Sequence, residues 1–405
     1  MAPIPRLRAY DGPALFHYGF RPFFLVGAIY SGAIMLAWLA VLHGELSIPT
    51  AFAPRDWHVH EMLFGYVPAV MTGFLLTAVP NWTGRLPIQG GPLVVLVTIW
   101  IAGRVAVTFS GAIGWLPAAA IDAAFLLALA AVIAREIVTG RNWRNLKLVG
   151  IVSILALSNI AFHLEAAQRG NAEGVSRLAI GTIILLIVLI GGRIVPSFTR
   201  NWLARRGAGR LPAPFGRFDQ VAVAASMAAL AAWIALPTAP ATGAALVVAG
   251  ALQAARLARW AGERTLDERL VLILHVGYAF VPIGFLLLGA AAFDLVSGSA
   301  GIHAWTAGAI GTMTLAVMTR ASLGHTGHDL TASAATQLIY ALVVIAAAAR
   351  IAGASAPSWA GPLLELAALA WAAAFIGFAI SYGPLLCGPR KATGAATADA
   401  RTRSH

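Results

Sequence analysis

Long apolar segments separated by short polar ones run through the whole chain. A transmembrane helix needs about 20 consecutive, mostly apolar residues, and about twelve segments of this chain reach that length. The pattern therefore predicts an all-α polytopic membrane protein with about twelve transmembrane helices in a single integral membrane domain, 1–405. The predicted spans are 22–42, 60–79, 92–110, 115–135, 147–165, 176–195, 219–237, 241–259, 270–291, 302–320, 333–352 and 361–386.

Composition leaves no room for a soluble domain. The chain is 59% hydrophobic and only 11% charged, whereas soluble domains carry about 25% charged residues. The N-terminal segment 1–21 and a disordered tail, 388–405, are predicted to lie outside the membrane. The single Cys387 excludes an intrachain disulfide and a CxxC metal site, so any bound metal must use histidine, carboxylate or methionine.

The basic residues predict the orientation of the helices. Most Lys and Arg residues precede the first span, follow even-numbered spans or lie in the tail. The exceptions are Arg55, Arg169, Arg177 and Arg350 on the opposite side, and Arg104 and Arg193 within spans. The positive-inside rule then predicts a multi-pass inner-membrane protein with both termini in the cytoplasm. The net charge of +12 therefore reflects the excess of basic residues in the predicted cytoplasmic loops. Nucleic acid is not an expected partner.

Four histidines fall at the predicted outer ends of three spans, or just before them: His58, His60, His163 and His303. An ionisable side chain is costly in a bilayer and is usually functional there, and histidine is the commonest metal ligand. We predict that these residues bind a metal near the outer face. Asp56, Glu61 or Glu165 can orient an imidazole through its second ring nitrogen. The alternative is an interfacial belt of polar and aromatic side chains.

A second group lies towards the inner face. His17, His275 and His325 are candidate ligands there, and Arg21 and Arg193 can pair with the propionates of a haem. This predicts a second cofactor-binding set. The alternative is that the loop histidines are solvated and that Arg193 extends to the cytoplasmic interface.

Two ionisable residues, Arg104 and Asp122, are embedded in consecutive spans. The simple interpretation is a buried ion pair, and a proton path is the alternative. Together with Pro68, Pro196 and Pro282 inside spans, they also suit a transporter without a redox cofactor.

Four motifs resemble the signatures of the NnrS family: HYGFRPFF at 17–24, WHVHEMLFGYVPAVMTGFLLTAVPNWTG at 57–84, GGRIVPSFTRNW at 191–202 and RASLGHTGHDL at 320–330. They occur in the family's order, from the first span to the tenth. The resemblance implies an inner-membrane protein that contains haem and copper and acts in the response to nitric oxide and nitrosative stress. The histidines that match those of the family are His17, His58, His60, His163, His275, His303 and His325.

A weak internal repeat links some of the spans. Ala-Val-Met-Thr occurs at 69–72 and 316–319, and Val-Pro followed by Asn-Trp ends the second and sixth spans. The period of four helices predicts three four-helix units of like orientation.

The preferred functional interpretation is a haem b and copper protein that binds or processes nitric oxide or its iron-nitrosyl products, and so gives resistance to nitrosative stress. No CxxCH sequence is present for covalent haem attachment. Whether the protein is an enzyme, and what donates electrons, stays open. The alternatives are the transporter and a quinol-linked electron-transfer protein with b-type haem.

Overall fold

The computed structural model describes residues 10–391. The first nine residues of the predicted N-terminal segment, and residues 392–405 of the predicted tail, lie outside the described residues. The described chain is helical and contains no strand, which confirms the all-α prediction. Eleven of its helices are long and apolar enough to cross a membrane, so the protein is a multi-pass membrane protein.

The helices follow the predicted spans closely. Numbered in chain order, they are α1 Phe20–Leu42, α2 Pro54–Thr83, α3 Gly91–Thr108, α4 Trp115–Thr139, α5 Trp143–Arg169, α6 Glu173–Leu203, α7 Arg217–Ala235, α8 Pro240–Ala258, α9 Arg269–Ala291, α10 298–326, α11 Ala334–Ser355 and α12 Pro357–Cys387. We call the end where even-numbered helices begin the outer end, and the opposite end the inner end.

Helix α10 corresponds to the predicted tenth span but is not among the eleven candidate spans. Its glycines, threonines and charged end lower its mean hydropathy, because none of these residues is strongly apolar. It nevertheless lies inside the bundle, where it packs against α9 and α11.

The ends of several helices follow from local sequence. Pro54 and Pro240 occupy first-turn positions of α2 and α8, where a missing N–H is harmless and the fixed φ suits the helix. Gly84 and Gly170 end α2 and α5 in the left-handed conformation, with φ of 70° and 74°. A side chain at these positions would be strained, so glycine is the residue that can end these helices in this way.

Consecutive helices pack side by side, and α12 returns to pack along α1. Helix α2 is the most enclosed of the candidate spans: 83% of its most apolar window is buried, against 28% for α1. Functional side chains on α2 are therefore surrounded by protein rather than lipid.

Helices α2 and α10 share a further feature. Each contains a π-helical segment, Glu61–Tyr66 in α2 and Ala304–Gly311 in α10, and such segments occur frequently at functional sites. Helices α2, α6 and α10 also line one apolar cavity of about 100 Å³. These are the three helices that the predicted four-helix repeat makes equivalent.

Candidate metal centre

The outer ends of four helices bring a cluster of ionisable side chains together. Helix α2 contributes His60 and Glu61, α3 contributes Arg104, α4 contributes Asp122 and α5 contributes His163. Each is at most 5% exposed. Burying a charged group is unfavourable unless the group is paired with an opposite charge or bound to a metal. The contacts within the cluster therefore determine its chemistry.

Two imidazoles meet at one carboxylate oxygen. The Nε2 atoms of His60 and His163 each lie 3.1 Å from Oδ2 of Asp122. His163 is aligned for a hydrogen bond to this oxygen. His60 is not, so its Nε2 has no hydrogen-bond partner among residues 10–391. The other ring nitrogen of His163, Nδ1, is likewise buried and unpartnered there.

This geometry fits a transition metal. One ligand atom from each of His60, Asp122 and His163 can be chosen so that all three lie within 4.8 Å of one another. Ligands about 2.0–2.1 Å from a tetrahedral ion are about 3.3 Å apart, close to the two 3.1 Å separations. The unpartnered Nε2 of His60 supplies a lone pair that a metal needs.

Hydrogen bonds and ion pairs from Glu61 and Arg104 hold His60 and Asp122 in place. Glu61 accepts a hydrogen bond at Oε1 from Nδ1 of His60, 3.2 Å away, and receives further hydrogen bonds from Tyr30 and from Nη1 of Arg104 at 2.6 Å. Arg104 also pairs with Oδ1 of Asp122. The predicted ion pair of Arg104 and Asp122 is thus confirmed, and it extends to Glu61.

The charges in this network do not cancel. Two carboxylates face one guanidinium, so the cluster carries one negative charge when both imidazoles are neutral. A buried uncompensated charge is strongly unfavourable. One further positive charge, from a proton or a monovalent metal ion, brings the cluster to neutrality.

Glycines make room for the network. A Cβ atom on Gly65 would lie 2.7 Å from Nη1 of Arg104, and one on Gly103 would lie 3.0 Å from Oδ1 of Asp122. The carbonyl of Gly65 lies in the π-helical segment and accepts a hydrogen bond from the indole of Trp100 at 2.9 Å. The irregular backbone of α2 and the close approach of α3 therefore depend on each other.

Aromatic rings enclose the histidines. The ring centroid of Phe52 is 5.0 Å from those of both His60 and His163, and Phe64 and Phe162 each lie 5.2 Å from His60. Phe52 precedes α2 in the outer loop and is 8% exposed, so it covers the site from the outer end. The surroundings of the two imidazoles are therefore apolar on this side.

The other two histidines of the predicted outer set lie elsewhere. His58 stacks on Trp38 of α1, with ring centroids 4.7 Å apart and planes at 11°. His303 on α10 is held by the carbonyl of Ser299, 2.7 Å from its Nδ1. The structure therefore brings His60 and His163 together and places His58 on a different face of α2, because residues two apart on a regular helix point in different directions.

Of the three carboxylates predicted to orient an imidazole, only Glu61 contacts one. Asp56 accepts a hydrogen bond from the backbone N–H of Ala172 at 3.1 Å, and Glu165 accepts one from Val175 at 2.8 Å. Both therefore bind free N–H groups at the start of α6, which lack intrahelical partners.

The predicted inner histidines are each engaged separately. His17 contacts the carbonyl of Gly12 at 3.2 Å. His275 lies 2.8 Å from the hydroxyl of Thr199 on α6. The ring of His325 lies 5.5 Å from Phe20. Among residues 10–391, no hydrogen bond, ion pair or ring contact joins any two of these three histidines.

The two arginines of the predicted inner set have protein partners. Nη1 of Arg21 donates to the carbonyls of Leu386 and Gly388, at 2.9 Å and 2.6 Å, and so caps the last carbonyls of α12. Arg193 is exposed and reaches Oδ1 of Asn145 at 3.5 Å.

The sequence analysis did not single out three residues at or near the site. Tyr30 and Phe52 are ordinary apolar-pattern residues in the sequence, and only the fold places them against Glu61 and the histidines. Asn159 lies one turn before His163 on the same face of α5, with both amide atoms buried and unpartnered among the described residues. A buried Asn in a predicted span, four residues from a histidine, was the available signal for this third residue.

The cluster lies within a long segment of the chain that matches a known protein family. The family model described as NnrS protein matches residues 14–390. The chain belongs to the NnrS family. The match includes every residue of the His60, Asp122 and His163 cluster, and it confirms the resemblance drawn from the four motifs. A comparison with curated proteins gives no match.

Proposed function

We propose that this NnrS protein is an inner-membrane metalloprotein of the nitric oxide response. In this proposal it binds copper at His60, Asp122 and His163 and there binds or processes nitric oxide or its iron-nitrosyl products. The observation that carries the proposal is the meeting of two imidazoles at one carboxylate oxygen inside a buried site. Family membership supports the link to nitric oxide.

The charge of the site favours copper. Imidazole suits copper, iron and zinc alike, so the ligands alone do not select among them. The cluster carries one negative charge with neutral imidazoles, as shown above, and a cuprous ion supplies one positive charge. A divalent ion would leave an excess positive charge in a buried site, which is unfavourable without an anionic co-ligand.

The protein groups around this metal have distinct tasks. Asp122 and the two imidazoles hold it, Glu61 orients His60, and Arg104 holds both carboxylates in place. A metal with three protein ligands keeps an open coordination position, which nitric oxide can occupy. The rings of Phe52, Phe64 and Phe162 make the approach apolar, which suits a small uncharged molecule.

Haem b stays a prediction of the family resemblance. The two described cavities are lined by α2, α6 and α10 and by α9 and α11, and neither lining includes a histidine. The inner-set residues His17, His275, His325, Arg21 and Arg193 have the separate partners given above. We therefore assign no haem-dependent step to them.

The decisive experiment measures metal in purified protein. The wild type, a His60→Ala/His163→Ala double variant and a His43→Ala control are purified after growth with added copper. His43 is an exposed outer histidine that pairs with Glu365. Copper, iron and zinc are quantified per chain, and the infrared N–O stretch is recorded after nitric oxide is added to the reduced protein.

We expect about one copper per chain in the wild type and the His43 variant, and loss of both copper and the N–O stretch in the double variant. A double variant that keeps its metal would remove this cluster from the site. Wild-type protein without any of the three metals would refute the metalloprotein proposal and favour a transporter. Haem that stays six-coordinate and unchanged by nitric oxide would favour electron transfer.

We also propose that both termini lie in the cytoplasm, because the basic residues favour the inner end. This places the metal centre near the periplasmic face. Reporter fusions to each terminus, active only on one side of the membrane, test the assignment. Activity of either fusion in the periplasm would reverse it.

A further inference from the structure

An apolar cavity of about 100 Å³ lies inside the bundle between α2, α6 and α10. Of its fourteen lining residues, thirteen are apolar or glycine, and the other is Thr314 on α10. The lining stretches are 67–74 of α2, 183–194 of α6 and 310–317 of α10, close to the midpoint of each helix. The cavity therefore lies at the depth of the hydrocarbon core, away from both aqueous phases.

The hydroxyl group in this lining is already engaged. Oγ1 of Thr314 donates to the carbonyls of Ile310 and Gly311, which are both 2.8 Å away. Because its proton is used in this way, it accepts a hydrogen bond from the hydroxyl of Tyr66. Tyr66 ends the π-helical segment of α2, and the two carbonyls belong to the π-helical segment of α10. The contact joins the two irregular segments beside the cavity and leaves the hydroxyl without a free proton for a ligand.

A glycine and stiff β-branched side chains shape the space. Gly191 lines it on α6, and a Cβ atom there would lie 3.1 Å from the ring of Tyr278 and 3.4 Å from Cε of Met313. Val67 of α2 and Ile310 of α10 form two other walls and are 6% and 2% exposed, and their side chains have little rotamer freedom. An apolar cavity of this kind stays dry, and an apolar atom or molecule can fill it because it supplies contacts that the walls lack.

The polarity and the size of the cavity define its ligand. A charged or strongly hydrogen-bonding molecule would lose its hydration here without compensation. A dry cavity of about 150 Å³ binds benzene or xenon, so this smaller one takes a smaller molecule. We infer that the cavity is a binding site for a small uncharged gas molecule, and that nitric oxide is its ligand in the cell. The second part rests on the proposed function, whereas affinity for an apolar gas follows from the cavity alone.

The cavity lies near the candidate metal centre along α2. Val67 follows His60 by seven residues, or about 10 Å along the helix axis. The ring of Phe64, between them in the chain, lies 5.2 Å from the ring of His60. An apolar molecule prefers such a site to water. The cavity therefore raises the concentration of nitric oxide beside the metal centre without contacting the metal ligands.

Xenon is the direct probe, because it is apolar, monatomic and detectable by anomalous X-ray scattering. Crystals of the full-length protein are pressurised with xenon for the wild type and three variants. Val317→Phe and Ile187→Phe each enlarge a lining side chain, on α10 and α6 respectively, so the second carries the test if the first does not fold. Val221→Phe is the matched control, because Val221 lies on α7 and is 57% exposed. We expect xenon in the cavity of the wild type and the control, and its loss from both filled variants.

A cavity without xenon in the wild type, or equal occupancy in the wild type and both filled variants, would overturn the inference. Nitric oxide itself is tested by infrared spectroscopy at cryogenic temperature, after light releases it from the reduced, copper-loaded protein. The N–O band of the released molecule should shift or disappear in Val317→Phe and stay unchanged in Val221→Phe. An unchanged band in both filled variants would exclude nitric oxide from the cavity. The lack of a metal-bound N–O band before illumination would refute the proposed function alone, because xenon binding does not need the metal.

Discussion

The Glu61→Gln substitution tests whether the hydrogen bond between Glu61 and His60 contributes to metal affinity. Glu61 is not one of the three proposed metal ligands, but its Oε1 lies 3.2 Å from Nδ1 of His60. The amide is nearly isosteric and its oxygen can still accept from Tyr30 and Arg104. What changes is the partner of His60: the amide NH2 group takes the place of Oε1, and it can donate a hydrogen bond to Nδ1 of His60 but cannot accept one from it.

The expected size of the effect follows from this position. Loss of a hydrogen-bonded group behind a metal-ligating histidine typically costs 10–100-fold in metal affinity, or about 1.4–2.8 kcal/mol. The substitution also neutralises one of two carboxylates that face one guanidinium. The apo cluster becomes neutral, so a cuprous ion then adds an uncompensated positive charge. Both effects lower affinity, and we expect a loss near the upper end of the range.

The assay is a competition titration of reduced copper between the protein and a coloured chelator. Glu165→Gln is the matched control, because Glu165 is an outer carboxylate that accepts from Val175 and does not contact the histidines. It should bind copper like the wild type. If Glu61→Gln also binds within about twofold of the wild type while the double histidine variant does not, then Glu61 does not orient His60 and the argument from the network is wrong.

Three further predictions follow from the packing. Gly65→Ala should lower the free energy of unfolding by about 1–3 kcal/mol, because its Cβ would overlap the Arg104 guanidinium. The control is Gly150→Ala, where an added Cβ meets no atom, and equal thermal unfolding midpoints for the two variants would contradict the prediction. Arg256→Met breaks the buried ion pair with Asp219 and should lower the free energy of unfolding by about 3–5 kcal/mol. Arg210→Met breaks the exposed pair with Glu263 and should lower it by at most about 1 kcal/mol, so similar thermal unfolding midpoints for the two variants would refute the prediction. Phe52→Ala should speed copper loss to an excess of chelator by opening the outer wall, and an unchanged rate in stopped-flow measurements would show that Phe52 does not cover the site.

Hydrophobic patterning was sufficient to predict the transmembrane helices. Each span must satisfy its backbone hydrogen bonds internally and present apolar side chains to lipid, so the pattern is local and strong. Helix α10 shows the limit of that rule. It is surrounded by other helices and contains residues such as Thr312 and Thr319 that are fully buried, so its polarity reflects contact with protein rather than lipid.

The candidate metal centre was predictable in part. The cost of placing an ionisable group in a bilayer singled out His60, His163, Arg104 and Asp122 from the sequence. That cost does not say which of them meet, since contact depends on which helix faces pack together. His58 and His60 show this: they are two residues apart, and one stacks on Trp38 of α1 whereas the other meets the carboxylate of α4.

The sequence by itself determined the fold class, the spans and their predicted orientation, because these depend on transfer free energies and charges of local segments. Only the tertiary structure decided that His60 and His163 meet at one carboxylate, whereas His58 stacks on Trp38 and His303 contacts Ser299. It also decided that the carboxylate of Asp122 joins the pair, and that Phe52 and Tyr30 enclose it. These relations depend on the rotation and packing of α2 against α1, α4 and α5, which involve residues far apart in the chain.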